Sequence, residues 1–285
     1  MKTGLFLGLG TLDLIYLAQK PPGENQKVVA SDCTIAAGGP AANAAVTFGY
    51  LGNRAIWAGV LGTHAIAQLI KNDLAEYNVR IIDLGLRRSD PPPVSSIIVT
   101  QGTGERSVIS INATKSQVDT QTINPDILTS VNIVLIDGHQ ILASTQIAKI
   151  AKSQNIPMVL DGGSWKPGLD EILPFIEWAI CSDNFHPPNC YNPEEVFAYL
   201  SAAGIPNIAI TRGEKPISYL SQGNYGSLEI PPIQATDTLG AGDIFHGAFC
   251  HYILQKNFTD SLSSAAKIAG DSCQQFGTRS WMKNS

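Results

Sequence analysis

Charge is scarce in this sequence. Only 15% of its 285 residues are Asp, Glu, Lys or Arg, against about 25% in an ordinary globular chain. Hydrophobic residues make up 44%, which excludes disorder, since a disordered chain combines low hydrophobicity with high net charge. A basic excess is missing too. The 19 Lys and Arg face 24 Asp and Glu, for a net charge of −5. Phosphate backbones are bound by basic surfaces, so nucleic acid is excluded as the main partner. A small polyanion held by backbone amides at one site is not. No apolar run approaches the ~18–20 residues of a membrane span. The start, Met1 to Gly8, has a single Lys and a short apolar run that soon reaches Asp13, and no signal-peptide cleavage pattern follows. The five cysteines, at 33, 181, 190, 250 and 273, form no C-x-x-C pair, so zinc and thioredoxin-like chemistry have no support. The expectation is a cytoplasmic protein, with no membrane partner, whose cysteines are small buried residues. There is no internal repeat, no low-complexity tract and no Gly-Lys pair. Without Gly-Lys there is no Walker A loop, so any nucleotide must be held differently.

What the chain does have is rhythm. Leu5 to Gly10, Ala55 to Leu61, Val131 to Ile136, Pro157 to Leu160, Trp178 to Cys181 and Ile208 to Thr211 read as buried strands, each short, aliphatic and bounded by Gly, Asp or Ser. Between them fall helix candidates at Ala41 to Leu51, Ala65 to Tyr77, Ser144 to Gln154, Asn192 to Ala203 and Ile244 to Leu254. This alternation predicts an α/β fold with a mostly parallel sheet covered on both faces. Two stretches break it. Residues 11–37 hold Pro21, Pro22 and Gly23 and then an extended-looking Lys27 to Ile35. Residues 94–112 read as a β-hairpin around Gly102-Thr103-Gly104. Together they predict a small separate sheet acting as a lid over a ligand site, within one domain spanning 1–285. The plainer reading makes them edge strands.

Three motifs carry chemistry. In Asp237-Thr238-Leu239-Gly240-Ala241-Gly242-Asp243, three small residues precede an apolar helix. The backbone N–H groups at such a start have no partner within the helix, and the dipole adds positive charge, so Gly240, Ala241 and Gly242 suit a phosphate. Asp243 beside them suits proton acceptance from an attacking hydroxyl. The plain alternative is a tight loop with a helix-starting carboxylate. In Gly38-Gly39-Pro40-Ala41-Ala42-Asn43, Gly39 permits close ligand approach and the Asn43 amide suits sugar hydroxyls. A Pro-initiated helix packed through small residues explains the same segment. Gly8-Leu9-Gly10 begins like a dinucleotide fingerprint but has Asp13 where the third glycine belongs, which rejects NAD. Asp13 at a strand end suits a hydroxyl contact. Asp161-Gly162-Gly163 ends a strand and reads as a plain turn or as a wall of the cleft, and His186, His246 and His251 read as solvated or core residues without metal-ligand spacing. Trp57, Trp165 and Trp178 read as core or pocket walls.

Taken together, the Gly39/Asn43 segment and Asp-Thr-x-Gly-Ala-Gly-Asp resemble the ribokinase-like (PfkB) carbohydrate kinase family. The likeness runs from Gly8 to Thr278, and its wording is closest to ketohexokinase-like and sulfofructose-kinase-like members. The resemblance implies a ribokinase-like three-layer sandwich with a small β lid, through which many members form a homodimer. It implies phosphorylation of a sugar hydroxymethyl group by ATP with Mg²⁺, and K⁺ in many members. It makes Asp243 the base, Gly240, Ala241 and Gly242 the anion hole, and Asp13, Gly39 and Asn43 the sugar contacts. It further implies nucleotide contacts from Thr211 and Gly213, a monovalent-cation role for Asp237, and a position near the adenine for Gly277 and Thr278.

The departures are specific. The family's Asn-x-x-Glu, linked to magnesium and phosphate, falls near Ser182-Asp183-Asn184-Phe185, which has neither residue in place. That leaves Ser182 as the nucleotide-side candidate. Ketohexokinase-like members vary here as well. The usual Gly-Asp-Asp is Thr63-His64-Ala65. His139 stands where sulfofructose kinases resemble one another in having Arg, which disfavours a sulfonate or phosphate substrate. Two rivals remain: a nucleoside kinase of the same fold, and a binding protein that keeps the fold with little catalysis.

Overall fold

A computed structural model describes residues 1–118 and 123–284. In chain order its strands and longer helices are β1 (Thr3–Leu7), β2 (Thr11–Ala18), β3 (Asp32–Gly38), α1 (Pro40–Tyr50), β4 (Arg54–Gly59), α2 (Ala65–Glu76), β5 (Arg80–Asp83), β6 (Val94–Thr100) and β7 (Arg106–Ile109). They continue as β8 (Ile133–Ile136), α3 (Ile141–Ser153), β9 (Met158–Gly162), β10 (Trp178–Ser182), α4 (Pro193–Ala202), β11 (Asn207–Arg212), β12 (Lys215–Ser221), β13 (Asn224–Leu228), α5 (Ala241–Ile253) and α6 (Phe258–Ser272).

Nine strands form one sheet in the order β13-β12-β11-β10-β9-β8-β1-β4-β5. From β5 to β11 all neighbours are parallel, and β12 and β13 close one edge as an antiparallel hairpin. Successive strand residues point to opposite faces, and here both faces are apolar. Leu5, Leu7, Val134, Ile136 and Leu160 face a core shared with α3 and α4. Phe6, Trp57, Leu135, Val159 and Ile180 face one shared with α1, α2, α5 and α6. That is why the strands read as continuous aliphatic runs, and it makes the three-layer α/β sandwich.

The remaining four strands form a second sheet, β3-β2-β6-β7, from the two stretches that interrupt the rhythm. Its inner face, with Ile15, Ile97 and Val99, packs on Leu239 and Phe276. The β12–β13 hairpin, β5 and α6 escape the sequence pattern. The hairpin alternates burial at an edge, and α6 is capped by an Asn257 side chain that accepts from the Asp260 N–H. Four cysteines are buried as expected, while Cys33 is exposed. Trp57 is fully buried, Trp178 packs on Phe249, and Trp165 packs edge-on against Phe185 and Tyr199. No helix among the described residues is long and apolar enough to cross a membrane.

Candidate active site

Two helix starts meet at the C-terminal ends of the parallel strands, where open α/β sheets place ligands. The first belongs to α1. At the end of β8 the buried Asp137 carboxylate accepts N–H bonds from Leu9 (2.8 Å), Ala41 (3.2 Å) and His139 (2.9 Å). It staples the exit of β1 to the entry of α1. Burial alone would raise its pKa, but the adjacent His139 ring and N–H bonds prevail and hold it down at about 2. Gly39 enters α1 with φ of +98°, and a Cβ there would lie 3.2 Å from Leu9 Cγ. Only glycine combines that angle with that closeness.

The second start is that of α5. The sequence pattern begins this helix at Ile244; it begins at Ala241, after Gly240 at φ +71° and ψ 2°. Ala241, Gly242 and Asp243 are therefore its first turn. Ala241 N–H makes a long 3.4 Å bond to Thr238 O, and no side chain caps the helix. The N–H groups of this turn remain the natural receptor for an anion.

α1 and α5 pack directly against each other, and this joins Asn43 to Asp243. Asn43 Nδ2 donates to Asp243 Oδ2 at 2.8 Å. Its Oδ1 accepts from Arg279 Nη1 at 2.9 Å. Arg279 also donates to Ala37 O at 2.7 Å and pairs with Asp73 at 3.2 Å. The guanidinium has donors only, so it fixes which end of the Asn43 amide faces Asp243. Burial pushes the Asp243 carboxyl up to about 7, the Asp161 carboxylate adds to the rise, and the Asn43 bond, His246 and Arg106 oppose it.

Asp13 completes this side from β2. It is buried, and its Oδ1 has no hydrogen-bond partner, which is unusual for a buried polar atom outside a ligand site. Burial raises it to about 6 against the pull of Ser95, Arg279 and Thr11. The small sheet meets the opposite side of the α5 start. Thr238 Oγ1 donates to Gly104 O at 2.9 Å, and Arg106 Nη1 donates to Thr238 O and Oγ1 at 3.3 and 3.2 Å.

The nucleotide-side candidates fall in two places. Ser182, with Asp183, Asn184, Phe185, Tyr191 and Ile210, lines a groove of about 370 Å³ at the end of β10. Thr211 Oγ1 donates to Cys181 O at 3.3 Å just beside it, and Gly213 turns the chain from β11 into β12 at φ +62°. Gly277 lies elsewhere. It is buried against Thr34 of β3, with its N–H on Asp237 Oδ2 at 2.8 Å. Asp237 accepts from Leu239 N–H through its other oxygen at 2.8 Å. Both residues thus join the α5 loop to the C-terminal segment.

Several residues here were misjudged or missed by the sequence pattern. Asp161 is no turn residue; it is buried inside β9, paired across to Ile180. His246 is buried 3.3 Å from it. Arg279 belongs to no motif, and Asp137 shows only as the residue two before His139. No group of three or more His, Cys, Asp or Glu among the described residues could hold a metal ion.

The family model described as "pfkB family carbohydrate kinase" matches residues 2–284. The chain is 25% identical to a ribokinase from Arabidopsis thaliana, covering 94% of this chain and 75% of that protein. It is 23% identical to a ribokinase from Bacillus subtilis, covering 99% and 96%. The solved structure of Arabidopsis thaliana ribokinase complexed with ribose and ATP superposes with a TM-score of 0.78 at 22% identity, covering 100% of this chain and 99% of that one.

Proposed function

The chain belongs to the PfkB family of carbohydrate kinases, and from that premise we propose that it transfers the γ-phosphoryl group of ATP to a hydroxymethyl oxygen of a small sugar, with Asp243 as the base. One observation carries this reading: a carboxyl raised to about 7 stands in the first turn of α5, beside that turn's N–H groups. A base whose pKa lies near the working pH abstracts protons best, and fixed N–H dipoles stabilise charge developing on the phosphoryl oxygens.

The sugar lies between Asp13, Gly39, Asn43 and Asp243. Asp13 Oδ1, free of protein partners, accepts one hydroxyl. Asp243 Oδ2 is already occupied by Asn43, so Oδ1 takes the proton of the attacking hydroxyl. The deprotonated sugar oxygen bonds to the γ-phosphorus as the bond to the ADP oxygen breaks. ADP leaves along the groove lined by Ser182, with Thr211 and Gly213 at its edge. Mg²⁺ carried by the nucleotide would neutralise phosphate charge in that groove and take few ligands from the chain. The small sheet acts as a lid that excludes water. Exposed Ile35, Val108 and Ile109 on its outer strands support pairing of two lids across a homodimer.

The test is ADP release over a panel of sugars and nucleosides with ATP and Mg²⁺. Turnover on a sugar, with kcat/KM rising through about pH 7 as Asp243 ionises, is expected. Asp243→Asn then loses ~10²–10⁴-fold in kcat, while ATP affinity holds because the amides survive. Turnover confined to nucleosides favours the nucleoside kinase reading. A variant that melts early yet turns over normally reduces Asp243 to a structural carboxylate.

A further inference from the structure

His246 lies one helical turn beyond Asp243 on α5 and is buried. Both of its ring nitrogens face carbonyl oxygens. Nδ1 is 2.7 Å from Gly242 O, and Nε2 is 3.1 Å from Ile180 O on β10. A carbonyl oxygen accepts hydrogen bonds and never donates, so each contact requires an N–H. A neutral imidazole has one N–H; an imidazolium has two. In the neutral ring, one nitrogen lone pair would point at a carbonyl lone pair at hydrogen-bond distance. Asp161 Oδ2 stands 3.3 Å from Nδ1 and has no hydrogen-bond partner of its own. It supplies the opposite charge that a buried cation needs.

We infer that His246 is held as an imidazolium paired with Asp161, and that this buried pair is a positioning device for Asp243. The role in positioning rests on the reading of Asp243 as the base; the charge state of the ring does not. The pair has two effects. Mechanically, it ties the first-turn Gly242 carbonyl of α5 to β10, which fixes the direction of the neighbouring N–H groups. Electrostatically, the imidazolium offsets Asp161, whose carboxylate raises Asp243. The other charges around the pair are few. Burial pushes the Asp161 carboxyl up and Asp137 at the end of β8 adds to the rise, while His246, Lys166 and His139 pull it down; Arg106 from β7 favours the ionised Asp243. The thiols of Cys181 on β10 and Cys250 on α5 are pushed up by burial and by Asp161, so they stay neutral.

Two measurements on the full chain test this. The first is ¹⁵N ring NMR without nucleotide or sugar, with the His246 signal identified by its loss in His246→Gln and the other four rings by their own substitutions. Two protonated nitrogens on His246 at pH 7.5 are expected. Asp161→Asn should bring the ring to its neutral form below that pH. A wild-type ring carrying a single proton at pH 7 overturns the inference, whether or not any variant folds. The second is the pH profile of kcat/KM. His246→Gln keeps a donor for one carbonyl but removes the charge, so the acidic limb set by Asp243 should move up by about 0.5–1 unit. An unmoved limb with only a lowered Tm makes His246 merely structural. Should no sugar or nucleoside be turned over, the kinase reading fails on that result alone, and the NMR still decides the ring's charge.

Discussion

Asn43 is more constrained than its place in a sugar-binding motif suggests. A free amide would present two donors and an acceptor to a sugar. Here the acceptor is taken by Arg279 and one donor by Asp243, so the residue mainly sets the proposed base. Asn43→Ala should therefore reduce kcat/KM by about tenfold to a hundredfold, the ~1–3 kcal/mol of a lost buried polar contact. It should also move the acidic limb to higher pH, because the bond from Asn43 favours the ionised Asp243. Nucleotide affinity should hold. If only the sugar KM rises while the limb stays put, Asn43 is a plain sugar contact. The difference between Asn43 and Arg279 shows what a sequence discloses. Asp243 and its glycines are legible because the proposed base and the amides sit within one turn. Arg279 reaches Asn43 from 236 residues away, and a single Arg near a chain end has no pattern to betray it. Asp161 and His246 were visible but looked ordinary, since nothing local says that β9 and α5 stack them together.

At the scale of elements, the site depends on how closely α5 lies on α1. Gly247, one turn past Asp243, makes the approach possible: a Cβ there would stand 2.7 Å from Thr47 Cβ and 2.9 Å from Ala44 Cα. Backbone cannot yield as a flexible side chain does. Gly247→Ala, ordinarily favourable in a helix, should here force the helices apart and cost ~1–3 kcal/mol by overpacking. Tm should fall by several degrees. Because the same contact holds Asn43 to Asp243, kcat should fall with it, and the loss should persist at temperatures where the variant is fully folded. Unchanged Tm and kcat would mean that the interface is loose. The parallel strands and their covering helices were legible because both faces are apolar and periodicity suffices. The start of α5 was not, because Ala241, Gly242 and Asp243 have small or polar side chains that carry no periodic signal. The β12–β13 hairpin and α6 were likewise hidden, since each lies at the boundary of the core and mixes polar with apolar positions.

In the whole molecule, the small sheet is wired into the site from both sides. β2 follows directly from β1 and carries Asp13, while β3 runs straight into α1 and so into Asn43. Any rocking of this sheet must change the spacing between Asp13, on the small sheet, and Asp243, on the large one's covering helix. Opposite these covalent links is a polar latch in which Gly104 and Arg106 of the β6–β7 hairpin meet Thr238, just before the α5 turn. Arg106 is exposed, so its removal leaves the fold intact while loosening the latch. On the proposed lid function, water then reaches the phosphoryl group more often, because a closed site is what keeps it from competing with the sugar hydroxyl. Arg106→Ala should show a severalfold rise in sugar KM and an increase in ATP hydrolysis without sugar, with Tm within about a degree of the parent because surface substitutions seldom cost more than ~0.5 kcal/mol. Arg106 also favours the ionised Asp243, so the acidic limb should drift slightly upward, whereas the amide turn of α5 and nucleotide affinity remain as they were. The ratio of sugar-free hydrolysis to sugar phosphorylation is the decisive quantity, since a residue that merely helps binding would raise KM and leave that ratio alone. If both the KM and the ratio match the parent, the hairpin is fixed cover rather than a lid, and water must be excluded by the core walls alone.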